Sequence, residues 1–331
     1  MKIHLKKTGT QERNFTEEEI KFANGDIHLS GVLFKPRNSE KSIPYVVLVH
    51  RSGWEDRETA WYHSLAYILA SKGIGVLLYD KRGTGKSTGN FSLADFNDLS
   101  DDVASAYNYL KTRNDLNYSK VGFLGTSQGG WLVPMAANKV SDPGFAILVV
   151  GPAVSLYEQD INRVQYTLTD EGYSKESINS ALDYSRLFFK YIESNKAKDW
   201  AALQKKASEI KGEKWIDYLD IPQSQTGEDV LWWRKNKYNP QEALSNIKCP
   251  VLSILGEKDV LVPPAENINK METYLTKAGV KHKIVTIKDC SHDMITVNKT
   301  NTVEESWPQK YWQWQKQPDE FVNSIFEFIQ Q

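Results

Sequence analysis

The chain has 331 residues, 40% of them hydrophobic and 25% charged, with 41 Lys and Arg against 42 Asp and Glu. This is ordinary globular composition, and a net charge of −1 supplies no field that would draw the chain onto nucleic acid or an anionic membrane. Two cysteines are too few for a disulfide framework or a zinc set, and no apolar run reaches the ~18 residues of a membrane span.

The N-terminal segment carries basic residues with no apolar run behind them. We therefore expect a cytoplasmic protein, or a secreted one whose native signal peptide was removed.

A β-hairpin is predicted next, because residues 19–22 and 27–34 alternate apolar and polar side chains. Between them stands Asn24-Gly25, a pair suited to a tight turn with positive φ.

Short apolar runs rich in β-branched residues predict strands buried on both faces of a parallel sheet. They cover residues 45–49, 74–79, 121–124, 145–150 and 251–255. The stretches between them predict helices over 61–71, 94–111, 128–138 and 265–278. A last strand over 282–287 and a closing helix over 321–329 follow. Strand alternating with helix indicates an α/β fold with a mostly parallel sheet and helices on both faces.

Residues 153–246 interrupt this alternation, because no buried-strand run appears there. Apolar residues instead recur at spacings of three and four, which is typical of helices. We therefore predict a core domain of residues 1–152 and 247–331 with an inserted helical cap over 153–246. The cap is expected to form a lid over the carboxyl ends of the strands, and its aromatic residues favour an apolar or aromatic substrate group.

The strongest motif is Gly125-Thr126-Ser127-Gln128-Gly129, which stands between a predicted strand and a predicted helix. This is the G-x-S-x-G pattern in its required context, a sharp turn that lifts a serine hydroxyl clear of the sheet. Side chains two positions before and after the serine would collide with backbone, which explains the glycines. The alternative is a glycine-rich turn that merely contains a serine. We predict that Ser127 is a nucleophile.

A serine nucleophile needs a base and a group that orients the base. Asp259 follows a predicted buried strand, and His292 follows the last one, in the chain order that this motif expects. His282, the other histidine after the serine, lies inside a predicted strand. The other acids considered are Glu257, Asp289 and Asp293. We predict His292 as the general base and Asp259 as its orienting acid.

With these residues in place, the chain resembles the α/β-hydrolase superfamily over nearly its whole length. It is most similar to bacterial carboxylesterases with an H-G-S-G-P-x-D-R-D first loop and to serine-aminopeptidase-like hydrolases. The resemblance is carried by the motif around Ser127, by Asp259 and His292, and by residues 50–58 and 80–87. It implies that the backbone N–H groups of Ser52 and Gln128 form an oxyanion hole.

One residue of the first loop departs from the family pattern, because Arg51 stands where a glycine is usual. It could hinder the turn, present a cation to an acidic ester, or point to solvent, which we favour. Arg51 and Trp54 are the candidate substrate-binding residues of this loop.

Two further patterns were tested and set aside. Residues 80–88 contain Gly85-Lys86-Ser87 but lack the glycines of a Walker or dinucleotide loop. We interpret this turn as structural and expect Asp80 and Arg82 to pair there and to bind loop backbone. The aromatic residues Trp307, Tyr311, Trp312 and Trp314 are expected to pack against the cap, since no basic stripe accompanies them.

We predict that the protein is a serine carboxylesterase acting on small-molecule esters, without metal or organic cofactor. An aminopeptidase or acylaminoacyl hydrolase with the same three residues is the first alternative, with Glu158 and Asp160 as candidates to hold a free amine. The second is a non-catalytic hydrolase-fold binding protein, because fold alone does not determine function. No nucleic-acid or membrane partner is expected. The oligomeric state is left open.

Overall fold

The computed structural model describes residues 13–37, 41–297 and 317–331. Its strands are β1 (Phe15–Asn24), β2 (Ile27–Pro36), β3 (Ile43–Val49), β4 (Gly75–Tyr79), β5 (Tyr118–Thr126), β6 (Ala146–Val149), β7 (Val251–Gly256) and β8 (His282–Ile287). The described residues build one eight-stranded sheet in the order β1-β2-β4-β3-β5-β6-β7-β8. The hairpin of β1 and β2 pairs antiparallel with β4, and every later pairing is parallel. The predicted α/β architecture is confirmed.

Helices connect the strands and cover both faces of the sheet. They are α1 (Ala60–Ser71), α2 (Phe96–Thr112), α3 (Gln128–Ala137), α4 (Leu156–Asp170), α5 (Lys175–Ser194), α6 (Ala197–Glu209), α7 (Glu228–Lys235), α8 (Gln241–Ser245), α9 (Pro264–Ala278) and α10 (Asp319–Gln330), with a 3₁₀ turn at Lys214–Tyr218. Helix α2 begins two residues later than the sequence predicts. Asp95 explains the shift, because its carboxylate accepts a hydrogen bond from the backbone N–H of Asp98 and caps the helix.

The strands are buried on both sides because their side chains alternate between two apolar cores. In β3, Val47 packs into the core that contains α2, α3 and α9, whereas Val46 and Leu48 pack into the core that contains α1 and α10. This double burial explains why the strands are continuous apolar runs in the sequence. Among the described residues, no helix is both long and apolar enough to cross a bilayer.

The parallel strands all end at the same edge of the sheet, and the loops that follow them meet there. These loops are the segment after β3, the turn into α3 after β5, the long excursion after β6, and the segments after β7 and β8. In open α/β sheets this edge is where ligands bind.

The excursion between β6 and β7 contains helices α4 to α8. Aromatic side chains pack at its centre, where Phe189 stacks on Tyr157 at 4.5 Å between ring centroids and meets Trp233 edge-on at 4.9 Å. Its buried residues belong to the same core as α2 and α3. The division into a core and a cap at residues 153 and 246 stays a prediction. The aromatic residues of 307–314 lie outside the described residues, so their packing also stays a prediction.

The pairing expected between Asp80 and Arg82 is wrong. Asp80 instead accepts hydrogen bonds from Arg57, at 3.0 Å from Nε and 2.8 Å from Nη2, and from the backbone N–H groups of Arg57 and Lys86. Arg82 binds Asp102 of α2 at 2.6 Å. The reason is that the two side chains leave the strand end in different directions, one toward the first loop and one toward α2. Each finds a nearly fully buried partner there.

Candidate active site

Ser127 occupies a strained turn between β5 and α3. Its backbone has φ 51° and ψ −116°, a conformation that costs a non-glycine residue about 1–3 kcal/mol. Its N–H donates to the carbonyl of Val149 at 2.9 Å, and its own carbonyl accepts from Gly130 at 2.8 Å. These bonds tie the turn to the neighbouring strand and to the first turn of α3, and they hold the strained residue in place.

The glycines on either side of Ser127 permit this turn because no side chain fits at either position. A Cβ atom at Gly125 would stand 2.2 Å from the carbonyl oxygen of Gly129, and one at Gly129 would stand 2.6 Å from that of Val49. Both obstacles are backbone, so neither can move aside cheaply. As the motif predicts, a side chain at either position would therefore collide with backbone atoms.

His292 and Asp259 meet at the same edge of the sheet, although 33 positions separate them. Nδ1 of His292 donates to Oδ2 of Asp259 at 2.8 Å, and Oδ1 of that carboxylate accepts from the backbone N–H groups of Leu261 and Val262, each at 2.8 Å. Asp259 is 3% exposed. Because every oxygen of the carboxylate has a donor, the acid is held in one orientation, and its bond to Nδ1 makes Nε2 the candidate basic nitrogen of the imidazole.

Burial alone would lower the pKa of His292, since it disfavours the charged imidazolium. The Asp259 carboxylate opposes burial through its charge and its hydrogen bond, and the charge of Asp293 adds to this. Arg51 acts in the other direction, and the net result is a raised pKa. This is the electrostatic relation that a general base requires, because the carboxylate stabilises the imidazolium that forms during proton transfer.

The other candidate acids make different contacts. Glu257 accepts a hydrogen bond from the backbone N–H of Asp289 at 3.0 Å, and Asp293 forms an ion pair with Arg51 at 2.7 Å. His282 lies in β8, as predicted, and contacts Glu272. Among the acids considered from the sequence, Asp259 is therefore the one that is hydrogen-bonded to His292.

Ser127 and His292 both line a cavity of about 530 Å³ between the carboxyl edge of the sheet and the helices after β6. Ser52 and Gln128 line it as well, so the structure brings together both proposed oxyanion residues and the proposed nucleophile and base. The lining also contains the apolar or aromatic residues Trp131, Pro152, Leu156, Trp232, Trp233, Leu261 and Val262. A cavity of this size and character suits a small organic substrate.

Of the two candidate substrate-binding residues in the first loop, Arg51 lines the cavity and Trp54 does not. The expectation that Arg51 points to solvent is wrong. Arg51 does not extend into solvent: it is bound at 2.6 Å by Glu55 and at 2.7 Å by Asp293, and its side chain is 27% exposed. The two carboxylates hold it against the cavity wall, where they neutralise much of its charge. Trp54 is 59% exposed and is not among the residues that line the cavity.

A charged pair that the sequence analysis did not identify as a pair also lines the cavity. In α4, Arg163 binds Asp160 at 2.7 Å and donates to the backbone carbonyl of Tyr218 at 3.0 Å. Burial raises the pKa of Asp160, and the Arg163 guanidinium opposes this. Glu158, the other candidate for holding an amine, is bound to Lys270 at 2.6 Å instead. The spacing of three in a helix was the available signal for the Asp160–Arg163 pair.

In residues 13–37, 41–297 and 317–331, no three or more His, Cys, Asp or Glu side chains are grouped so that they could hold a metal ion. Cys249 and Cys290 are both buried free thiols.

Comparison with known proteins supports the assignment of the fold and the chemistry. The sequence profile of the family described as X-Pro dipeptidyl-peptidase (S15 family) matches residues 24–286. Esterase EstD of Thermotoga maritima is 33% identical over 158 residues, which cover 46% of this chain and 36% of that relative. The chain thus spans well under two thirds of EstD.

Solved structures of low sequence identity share the fold. The esterase Pf2001 of Pyrococcus furiosus superposes with a TM-score of 0.58 at 15% identity, covering 96% of this chain and 91% of the other. Est1E of Butyrivibrio proteoclasticus, solved with ferulic acid, gives 0.55 at 16% identity, covering 93% and 97%. The family profile spans most of the chain, and the sheet, the strained serine turn and the fold neighbours agree with it. The chain therefore belongs to the family described as X-Pro dipeptidyl-peptidase (S15 family), within the α/β-hydrolase superfamily.

Proposed function

We propose that the protein hydrolyses small carboxylic esters through an acyl-enzyme on Ser127, with His292 as general base and Asp259 as the acid that orients it. Nε2 of His292 takes the hydroxyl proton while Oγ attacks the ester carbonyl carbon. The backbone N–H groups of Ser52 and Gln128 donate to the oxyanion that develops. Collapse of the tetrahedral intermediate expels the alcohol, which receives the proton from His292.

Deacylation repeats these steps with water as the nucleophile. His292 removes a proton from water, the resulting hydroxide attacks the acyl carbon, and the carboxylic acid leaves as Ser127 regains its proton. Asp259 remains ionised throughout and holds the imidazole so that Nδ1 keeps its proton and Nε2 does the transfer. No other reactant is required, so the balance is one ester and one water to one acid and one alcohol.

The observation that carries this proposal is the 2.8 Å contact between His292 and Asp259 in a cavity wall that also contains the strained Ser127. A histidine with a raised pKa beside a buried acid, in the same cavity as a half-buried serine, is the arrangement that acyl transfer needs. The tryptophans of the cavity favour an apolar or aromatic acyl or alcohol group. The esterase names of the relatives, and the ferulic acid bound to Est1E, agree with this substrate class.

The helices after β6 supply much of the apolar wall through Leu156, Trp232 and Trp233. We therefore retain residues 153–246 as a cap that shapes the substrate pocket and acts as its lid, within a core of 1–152 and 247–331.

The test is hydrolysis of short-chain p-nitrophenyl esters by the purified chain. We expect a burst of p-nitrophenol that equals the enzyme concentration, and labelling of Ser127 by a fluorophosphonate. Ser127→Ala should abolish both, whereas Ser291→Ala, which removes a hydroxyl near His292, should remain labelled. Turnover that is unchanged in Ser127→Ala would remove the proposal.

Amide hydrolysis is the second candidate, and both the family description and Asp160 favour it. Asp160 lies in the cavity wall and could hold the free amine of a peptide, although Arg163 already occupies one of its oxygens. Comparing an aminoacyl p-nitroanilide with its N-acetylated form separates the two functions. A peptidase that recognises the amine should prefer the free form and lose this preference in Asp160→Asn. An esterase should cleave neither anilide efficiently, and its ester turnover should change little in that variant.

A further inference from the structure

Lys81 follows β4 and is buried beneath the first loop, with 4% of its surface exposed. Its ammonium group donates to the backbone carbonyl of Arg51 at 2.7 Å and to that of Gly53 at 3.1 Å. It also donates to the side-chain oxygen of Gln128 at 3.3 Å. A buried lysine is costly unless its donors are satisfied, and here all three N–H bonds have acceptors. None of these acceptors is a carboxylate.

These three acceptors surround the two proposed oxyanion donors. Arg51 and Gly53 flank Ser52, and Gln128 carries the second backbone N–H. The carbonyl of Arg51 and the N–H of Ser52 belong to the same peptide unit, which is planar and trans. Because the two groups point in opposite directions, an anchored Arg51 carbonyl directs the Ser52 N–H away from Lys81. The lysine therefore sets the orientation of a donor that it does not touch.

The same loop is anchored from its other side. The backbone N–H of Arg51 donates to the hydroxyl of Tyr62 at 2.7 Å, and that hydroxyl is hydrogen-bonded to Thr126 Oγ1 at 2.5 Å. Thr126 directly precedes Ser127. Tyr62 thus joins the first loop to the serine turn, while Lys81 joins it to the start of α3. Lys81 contacts the peptide unit that carries the Ser52 N–H.

We propose that Lys81 is a positioning residue for the oxyanion hole: it orients the Ser52 N–H through the Arg51 carbonyl and couples that loop to Gln128. The positive charge also withdraws electron density from the Arg51 carbonyl, which makes the N–H of the same peptide a stronger donor. This inference rests on the proposed function, since it concerns the same oxyanion.

The electrostatic surroundings of Lys81 make its charge measurable. Burial lowers the pKa of the ammonium to about 8; the Glu55 carboxylate opposes this shift and the Arg51 guanidinium adds to it. His50 is the other titratable group that faces it from the first loop, and burial keeps that imidazole neutral by lowering its pKa to about 3. From the segment before α2, the ring of Phe91 lies 5.6 Å from the ammonium. Lys81 therefore loses its charge as pH rises through about 8.

The test compares Lys81→Met and Lys81→Gln with a matched control, Lys86→Met. Lys86 belongs to the same turn, but its side chain is 69% exposed, and within the described part of the chain its Nζ contacts Glu19 alone, at 3.5 Å. Active sites are titrated with a fluorophosphonate so that kcat refers to folded, reactive enzyme. We expect kcat of both Lys81 variants to fall about 10- to 100-fold, less than the full loss of an oxyanion donor, with KM changed by less than about twofold.

Two further measurements separate positioning from a general loss of structure. A trifluoromethyl ketone forms a tetrahedral adduct with its oxyanion in the hole, so its affinity should fall by the same factor as kcat. The product carboxylic acid forms no such adduct, so its affinity should stay unchanged. Wild-type kcat/KM should decline above about pH 8, and this decline should disappear in Lys81→Gln, which has no charge to lose.

The inference would be overturned if Lys81→Gln had the same kcat per titrated site as the wild type and if its kcat/KM still declined above about pH 8. Lys81→Gln decides the question even where Lys81→Met does not fold, because its amide can still donate to a carbonyl. Failure of the proposed function would look different, since Ser127→Ala would then retain the turnover of the wild type.

Discussion

The imidazole of His292 donates to Asp259 at 2.8 Å, and the other carboxylate oxygen is held by two backbone N–H groups of the chain that follows it. The acid is thus oriented before the histidine binds to it. A carboxylate fixed in this way favours one tautomer and one ring orientation of the histidine. The predictions below begin with this pair.

Asp259→Asn should remove catalysis while leaving the fold intact. The amide can donate its own N–H to Nδ1 and so favour the wrong tautomer, and it no longer stabilises the imidazolium. We expect kcat to fall by about 10³- to 10⁴-fold. The control is Glu257→Gln, a neighbouring acid that is bound to the backbone N–H of Asp289 and to Lys258 rather than to the histidine. Steady-state kinetics on a p-nitrophenyl ester measures both variants. An Asp259→Asn enzyme within tenfold of the wild type would contradict the assigned role.

The increase of kcat/KM on the acid side of the pH profile should reflect the loss of a proton from His292. Asp259 raises the pKa of this histidine, so kcat/KM should increase with pH through an apparent pKa above the ordinary value of 6.5. In Asp259→Asn the midpoint should move to lower pH, because the group that raises the pKa of His292 most is then removed while burial still lowers it. The same group contributes stability below its unfolded pKa and loses this contribution as pH rises through the folded pKa. A midpoint that does not move in Asp259→Asn would show that another group controls this limb.

Gly125→Ala should destabilise the protein strongly. The new Cβ would stand 2.2 Å from the carbonyl oxygen of Gly129, so the serine turn has to shift. We expect the free energy of unfolding to decrease by about 1–3 kcal/mol or more, together with loss of fluorophosphonate labelling. Gly227→Ala is the control, because its nearest obstacles are the flexible side chains of Asp229 and Ser224. Urea titration distinguishes them, and equal midpoints for the two variants would refute the steric argument.

Arg57→Met should be among the most destabilising changes outside the site. It leaves the Asp80 carboxylate buried with two backbone N–H groups and no cation. Removing one partner of a buried ion pair costs about 3–5 kcal/mol. Arg186→Met breaks the exposed pair with Asp183 and should change stability by about 0.5 kcal/mol at most. Chemical denaturation of the two variants, side by side, checks the contrast. A cost for Arg57→Met as small as the control would mean that Asp80 is stable without its cation.

The strands, the serine turn and the chain order of Asp259 and His292 were predictable because local patterns determine them. Strands buried on both faces are continuous apolar runs, and Gly125 and Gly129 mark a turn that no larger residue can occupy. The parallel topology then brings the ends of separate strands to one edge, so that residues distant in sequence become neighbours.

The side-chain pairs between loops were not predictable. Asp80 had two arginines within reach, Arg57 and Arg82, and only the packing of the first loop over the strand end determines which of them binds it. Arg51 was expected to point to solvent, and one of its two partners, Asp293, is 242 positions away in the sequence. The residues next to Lys81 in the sequence did not indicate that its side chain is buried. Such contacts depend on how loops pack together, and loop packing leaves no regular spacing of residues that a single sequence would show.

The position of the long excursion between β6 and β7 bears on how this chain could acquire new substrates. The two strands pair directly, and a right-handed crossover of any adequate length satisfies their connection. Doubling such a crossover adds only about 0.6 kcal/mol of closure entropy. The hydroxyl, the imidazole and the carboxylate are all contributed by segments outside it. Mutation, shortening or replacement of this excursion can therefore change the shape of the pocket without altering the three side chains proposed to carry out the reaction.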